Sequence, residues 1–75
     1  MAGTVAAIRV GSTWEQKVHL RDGKVLTRRI EVTGAPTHST PVNYRIVRND
    51  AHPHRAGKSG SIRKGDLHRK YRPVD

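Results

Sequence analysis

The chain has 75 residues, is one-third apolar, and carries fifteen Lys and Arg against six Asp and Glu, with no cysteine. That length holds one domain spanning residues 1–75, with a thin core, because chains this short bury only about 60% of their unfolded surface. Disulfides and thiolate zinc sites are excluded, and the net charge of +9 repels itself in the folded state while attracting polyanions.

The segment from Met1 to Ile8 lacks the basic start and long apolar stretch of a signal peptide. No run approaches the roughly 20 apolar residues of a membrane span. The chain therefore reads as a soluble cytoplasmic protein, in the producing cell or in a host cell, with no membrane partner. Ile8 and Val10 share a face, with Ala6 beneath them. Trp14, Val18 and Leu20 form a second period-two set interrupted by Gln16, and Leu26, Ile30 and Val32 a third around Arg28. Such alternation, bounded by Gly, Pro, Asp and Asn, marks strands.

Asp22-Gly23 marks the clearest turn. A two-residue loop would set Trp14 against Glu31 and throw the two apolar sets onto opposite faces. A three-residue loop, Arg21-Asp22-Gly23 with Gly23 left-handed, pairs Leu20 with Lys24, Val18 with Leu26, Gln16 with Arg28 and Trp14 with Ile30. This type I turn with a glycine bulge keeps one face apolar.

Residues 34–41 (GAPTHSTP) read as a loop leading into a strand from Val42 to Arg48, on which Val42, Tyr44 and Ile46 share a face. Residues 49–60 read as a second, longer loop, and Ser61-Ile62-Arg63 as a short strand. Gly65-Asp66 can cap one helical turn, since an Asp side chain accepts a hydrogen bond from a first-turn N–H. Leu67 and Tyr71 then lie on the same side of that turn; Pro73 stops it and Val74-Asp75 form a tail. Together these elements predict an all-β fold, a small five-stranded SH3-like barrel with a short C-terminal helical turn, closure being the way a small sheet removes its edges.

Two motifs carry a resemblance. Ile8-Arg9-Val10-Gly11-Ser12-Thr13-Trp14 near the start, and the stretch from Ile62 to Val74 with its Leu67, Tyr71, Arg72 and Val74, resemble small SH3-like β-barrel proteins of actinobacteria and their bacteriophages. The match covers both ends of the chain and not its middle. It implies the barrel, assigns no activity, and gives Trp14 and the Leu67/Tyr71 pair the role of closing its two ends.

Catalysis needs a nucleophile, a base and an orienting group within reach of one another. No Ser/His/acid set has suitable spacing, and Glu15, Asp22 and Glu31 are expected to pair with neighbouring cations, so the chain reads as no enzyme. Gly57-Lys58-Ser59 matches the end of a phosphate-binding loop, but the motif's first glycine is replaced by His52 and a strand follows where a helix is required. Those residues could still meet a phosphate through backbone N–H groups and a lone Lys. His52 and His54 are the only metal-like spacing, and zinc usually takes four ligands, so neither metal nor cofactor is expected. Trp14 and Tyr44 fit the core, while Tyr71, flanked by basic residues, fits core or surface; no stacking platform or aromatic cage follows.

The basic residues remain. Arg28, Arg29, Arg45 and Arg48 lie on strands, and residues 51–75 hold seven Lys and Arg against two Asp. Those seven, Arg55, Lys58, Arg63, Lys64, Arg69, Lys70 and Arg72, are the candidate nucleic-acid-binding residues, holding phosphates without reading sequence. Three readings follow: a non-catalytic module binding DNA or RNA, a phage-type interaction module docking an acidic host protein, and a minor structural component of a nucleoprotein particle. The chain would act as a monomer or as a dimer formed through an edge strand.

Overall fold

In the computed structural model, which describes residues 8–34 and 41–74, the first hairpin has the register its apolar pattern demands. Strand β1 (Thr13–His19) runs antiparallel to β2 (Val25–Gly34), setting Trp14 against Ile30, Gln16 against Arg28 and Val18 against Leu26. Leu20 N–H donates to Lys24 O at 2.8 Å, closing a three-residue loop in which Gly23 has φ +90°. A side chain there would be strained, which is why glycine occupies the position.

Strand β3 (Val42–Asn49) pairs with the other side of β2, and β4 (Ser59–Ile62) with the other side of β3. A 3-10 turn (Pro53–Arg55) interrupts the connection between them. Helix α1 (Lys64–Lys70) follows, and the last strand, β5 (Arg72–Val74), pairs with β1. The result is one five-stranded antiparallel sheet in the order β4-β3-β2-β1-β5, with a single short helix linking its two edges.

The expected barrel is not closed: β4 and β5 are edges with no hydrogen-bonded ladder between them. They are four and three residues long, and the connection between them is taken up by the helix. Side chains cover the inner face instead. Trp14, Ile30, Val32, Val42 and Ile46 from the sheet meet Leu67 and Tyr71 from the helical end, and all seven are buried. Trp14, Leu67 and Tyr71 thus share one core cluster, rather than closing two separate ends.

Several sequence expectations shift. Ile8–Val10 is not a strand: Ser12 N–H donates to Arg9 O and Gly11 has φ +87°, so the chain turns there. Ile8 still packs on the core, while Val10 is 62% exposed. The fifth strand is Arg72–Val74, not a tail, and Pro73 is tolerated because an edge strand can spare its N–H. β4 begins two residues earlier than expected, at Ser59. The helix runs seven residues with Arg63 at its N-cap and no capping side chain; Asp66 lies inside the first turn and pairs with Arg69. The expectations for Ala6, the interior of the 34–41 loop and Asp75 fall outside the described residues.

Val18 and Leu20 lie beyond the reach of the helix and are 47% and 40% exposed. Their alternation marks the inner face correctly, but the hairpin is longer than the core. Two β-bulges are the other departures from regularity: Thr33 is the extra residue on β2, between Val32 and Gly34, and the second bulge lies in β3. Ile46 pairs with Ile30 but Arg48 with Arg29, so Val47 is the extra residue. The slip carries Arg48 onto the outer face and sets Asn49, 7% exposed, opposite Arg28 on the inner face. Among the described residues, no helix is long and apolar enough to cross a membrane.

Candidate functional site

The outer face of the sheet is a lattice of ion pairs. Arg72, Glu15, Arg29 and Arg48 stand in one row across β5, β1, β2 and β3, and Glu31 and Arg45 in the next. Arg29 donates to Glu15 Oε2 at 2.7 Å, with Lys17 at 3.5 Å from the other carboxylate oxygen. Arg45 donates to Glu31 at 3.0 Å and Arg48 to Asp50 at 2.8 Å. Asp50 also accepts from Thr27 N–H at 2.9 Å, tying the connection after β3 to β2. The Arg29 hydrogen bond holds the Glu15 carboxyl below its usual range, and the Arg48 hydrogen bond does the same for Asp50. Pairs this open to solvent contribute little to stability, but they offset much of the charge on the face.

The acids are thereby used up. Each of the five described carboxylates has a Lys or Arg partner, and these pairs engage Lys17, Lys24, Arg29, Arg45, Arg48 and Arg69. The remaining nine of the fifteen cations have no carboxylate within 4.0 Å among the described residues. Six of those nine are Arg55, Lys58, Arg63, Lys64, Lys70 and Arg72, leaving Arg69 as the single member of the expected set with an acidic partner.

All seven expected residues are exposed, and the fold divides them. Arg69, Lys70 and Arg72 come together with Lys17 in a groove of about 560 Å³ between β1 and the corner where α1 meets β5. Gln16, His19, Pro73 and Glu15 complete its walls. The β1–β5 ladder builds this groove by setting Arg72 opposite Glu15. Arg63 and Lys64 stand at the other end of the helix, just past β4. Arg55 and Lys58 precede β4, at the sheet edge opposite β5.

The Gly57-Lys58 backbone is not available to a phosphate. Gly57 N–H donates to Ile46 O at 2.6 Å and Lys58 N–H to Arg55 O at 3.1 Å, leaving only the Lys58 side chain. His52 and His54 stack edge to face at 5.8 Å, and no group of three potential metal ligands occurs among the described residues.

One part of the site carries no mark in the sequence. Lys17, Gln16 and His19 join the groove only because β5 pairs with β1, and nothing in a three-residue stretch containing Pro73 announces that pairing. Arg28 was legible, as the charged residue that breaks an apolar alternation opposite Gln16. The structure sets it on the inner face beside Tyr44, whose hydroxyl accepts from Arg28 Nη2 at 3.4 Å. No known protein family, curated protein or solved structure matches this chain.

Proposed function

We propose that this chain is a non-catalytic module that binds nucleic acid through phosphate contacts. One observation carries the reading. The acids are spent in ion pairs, while six cations between Arg55 and Arg72 are left without acidic partners among the described residues. Lys70 and Arg72, beside Lys17 and Arg69, line a groove that suits a phosphate backbone. Arg55, Lys58, Arg63 and Lys64 extend the positive field on either side of β4. The strand order, with the helix between the fourth and fifth strands, supports viewing the open sheet as an SH3-like half-barrel that presents these side chains.

Phosphate binding of this kind releases counterions, so affinity falls steeply with salt. Gel-shift titrations of DNA and RNA at about 50 and 200 mM salt test it, because several contacts lose orders of magnitude over that range. Absence of binding at the lower salt overturns the reading.

The hairpin tip favours a second reading. Val18, Leu20 and Val25 are each at least 40% exposed, beside Arg21 and Lys24. An acidic host protein with an apolar anchor would fit such a tip. Retention of one partner protein in pulldowns after nuclease treatment would support it over nucleic-acid binding.

A further inference from the structure

Arg28 stands on the inner face of β2, between Gln16 on β1 and Asn49 on β3. Its Nε is shut off from solvent and has no hydrogen-bond partner among the described residues. Its Nη2 makes only the long 3.4 Å bond to the Tyr44 hydroxyl. Burial raises the Tyr71 phenol pKa above its usual value, and the nearby Arg28 charge opposes that rise. Among the described residues no carboxylate lies within 4.0 Å of Arg28, and each described acid pairs with another cation.

A partly buried guanidinium with an orphaned donor is costly, and a counter-anion is what relieves it. The neighbours are neutral. Asn49 Oδ1 already accepts from His52 N–H at 2.9 Å. The Tyr44 hydroxyl accepts from Arg28 and so keeps its own proton to donate to an incoming oxygen. Gln16, directly across the ladder from Arg28, also lines the basic groove. The uncompensated cation therefore stands one strand behind that groove.

We propose that Arg28 and the Tyr44 hydroxyl form a seat for one phosphate group of a single-stranded nucleic acid lying in the groove, an inference that rests on the nucleic-acid reading above. Lys70 and Arg72 hold the neighbouring phosphates at the rim. A duplex carries its phosphates on a stiff convex surface and cannot turn one inward past Gln16. A flexible strand can. Selectivity for single strands then comes from the backbone and not from stacking, because Trp14 and Tyr71 are 1% and 5% exposed and offer no ring faces to bases.

The test is fluorescence anisotropy of the whole chain with a labelled oligothymidine about ten nucleotides long and with a duplex of the same length, at about 50 mM salt. The single strand is expected to bind more tightly. Arg28→Met should weaken single-strand binding about tenfold or more, the loss of one charge-assisted contact, with duplex binding unchanged. Without nucleic acid the same variant should melt at a higher temperature, since it removes an unpaired cation and keeps an apolar stem out to the position of Nε. Equal single-strand affinity in Arg28→Met, equal loss on both ligands, or a lower melting temperature overturns the seat alone. Failure of the unmodified chain to bind either ligand overturns the nucleic-acid reading as well.

Discussion

Arg29 reaches across the first hairpin to Glu15, donating from Nη2 at 2.7 Å and from Nε at 3.3 Å to the same carboxylate oxygen. The two residues are direct partners in the β1–β2 ladder, so the ion pair and the strand register support one another. It joins Lys17 to Glu15 and, one strand away, Arg48 to Asp50, in a face whose charges are largely cancelled.

These pairs set the pH response. The Arg29 hydrogen bond lowers the Glu15 pKa from 4.5, and the Arg48 hydrogen bond lowers that of Asp50 from 3.8. A depressed carboxyl pKa contributes stability that is complete above the unfolded value and lost as pH falls through the folded one. Thermal midpoints should therefore be flat above about pH 5 and decline toward pH 3. Glu15→Gln should make the decline shallower, and an equally steep decline would show that the pair does not contribute.

The Tyr44 hydroxyl lies directly over Gly60. A Cβ built on Gly60 would stand 2.7 Å from Tyr44 Oη and 2.9 Å from Cζ, so the ring must move. Gly60→Ala should cost about 1–3 kcal/mol in urea denaturation. Pairing it with Tyr44→Leu should cost less than the sum of the two changes, because the clash is then gone.

Leu67 is fully buried and is the helix residue that covers the sheet. Leu67→Ala should destabilise the fold by about 2–5 kcal/mol. In a core this small that is a large fraction of the total, so the variant should show a lowered denaturation midpoint or an unfolded circular dichroism spectrum. A midpoint near that of the unmodified chain would mean the helix is not part of the cooperative core.

Two glycines should respond in opposite directions. Gly23 has φ +90°, and Gly23→Ala should cost about 1 kcal/mol of backbone strain. Gly65 lies in α1 with open space around its Cβ direction, so Gly65→Ala should gain about 0.5–1 kcal/mol through helix propensity. Thermal melts of both variants check the pair.

What the sequence made legible follows from where it is regular. Trp14 and Ile30 can share a face in one register only, which made the three-residue loop at Gly23 deducible. Pairings made by very short segments leave no period to read, so Pro73 reads as a helix stop and Val74-Asp75 as a tail, where the structure has a strand from Arg72 to Val74. Gly11, a turn glycine, ended the first apolar alternation before it could become a strand. The slip at Val47 has no local mark either, and it is what brings Asn49 opposite Arg28. The basic residues of the last third were visible by charge alone. Their division between the groove and the β4 edge depends on pairings among residues far apart in the chain.

The most direct test of nucleic-acid binding through the unpaired cations is the slope of log affinity against log salt for a single-stranded oligonucleotide. Each phosphate contact contributes about 0.7 to a single-strand slope. Replacing Lys70 and Arg72 together by Gln should reduce the slope by about 1.4, the share of two contacts. Replacing Arg21 and Lys24 at the hairpin tip should leave it unchanged. Binding that is absent at low salt, or a slope that ignores the loss of Lys70 and Arg72, would contradict the proposal.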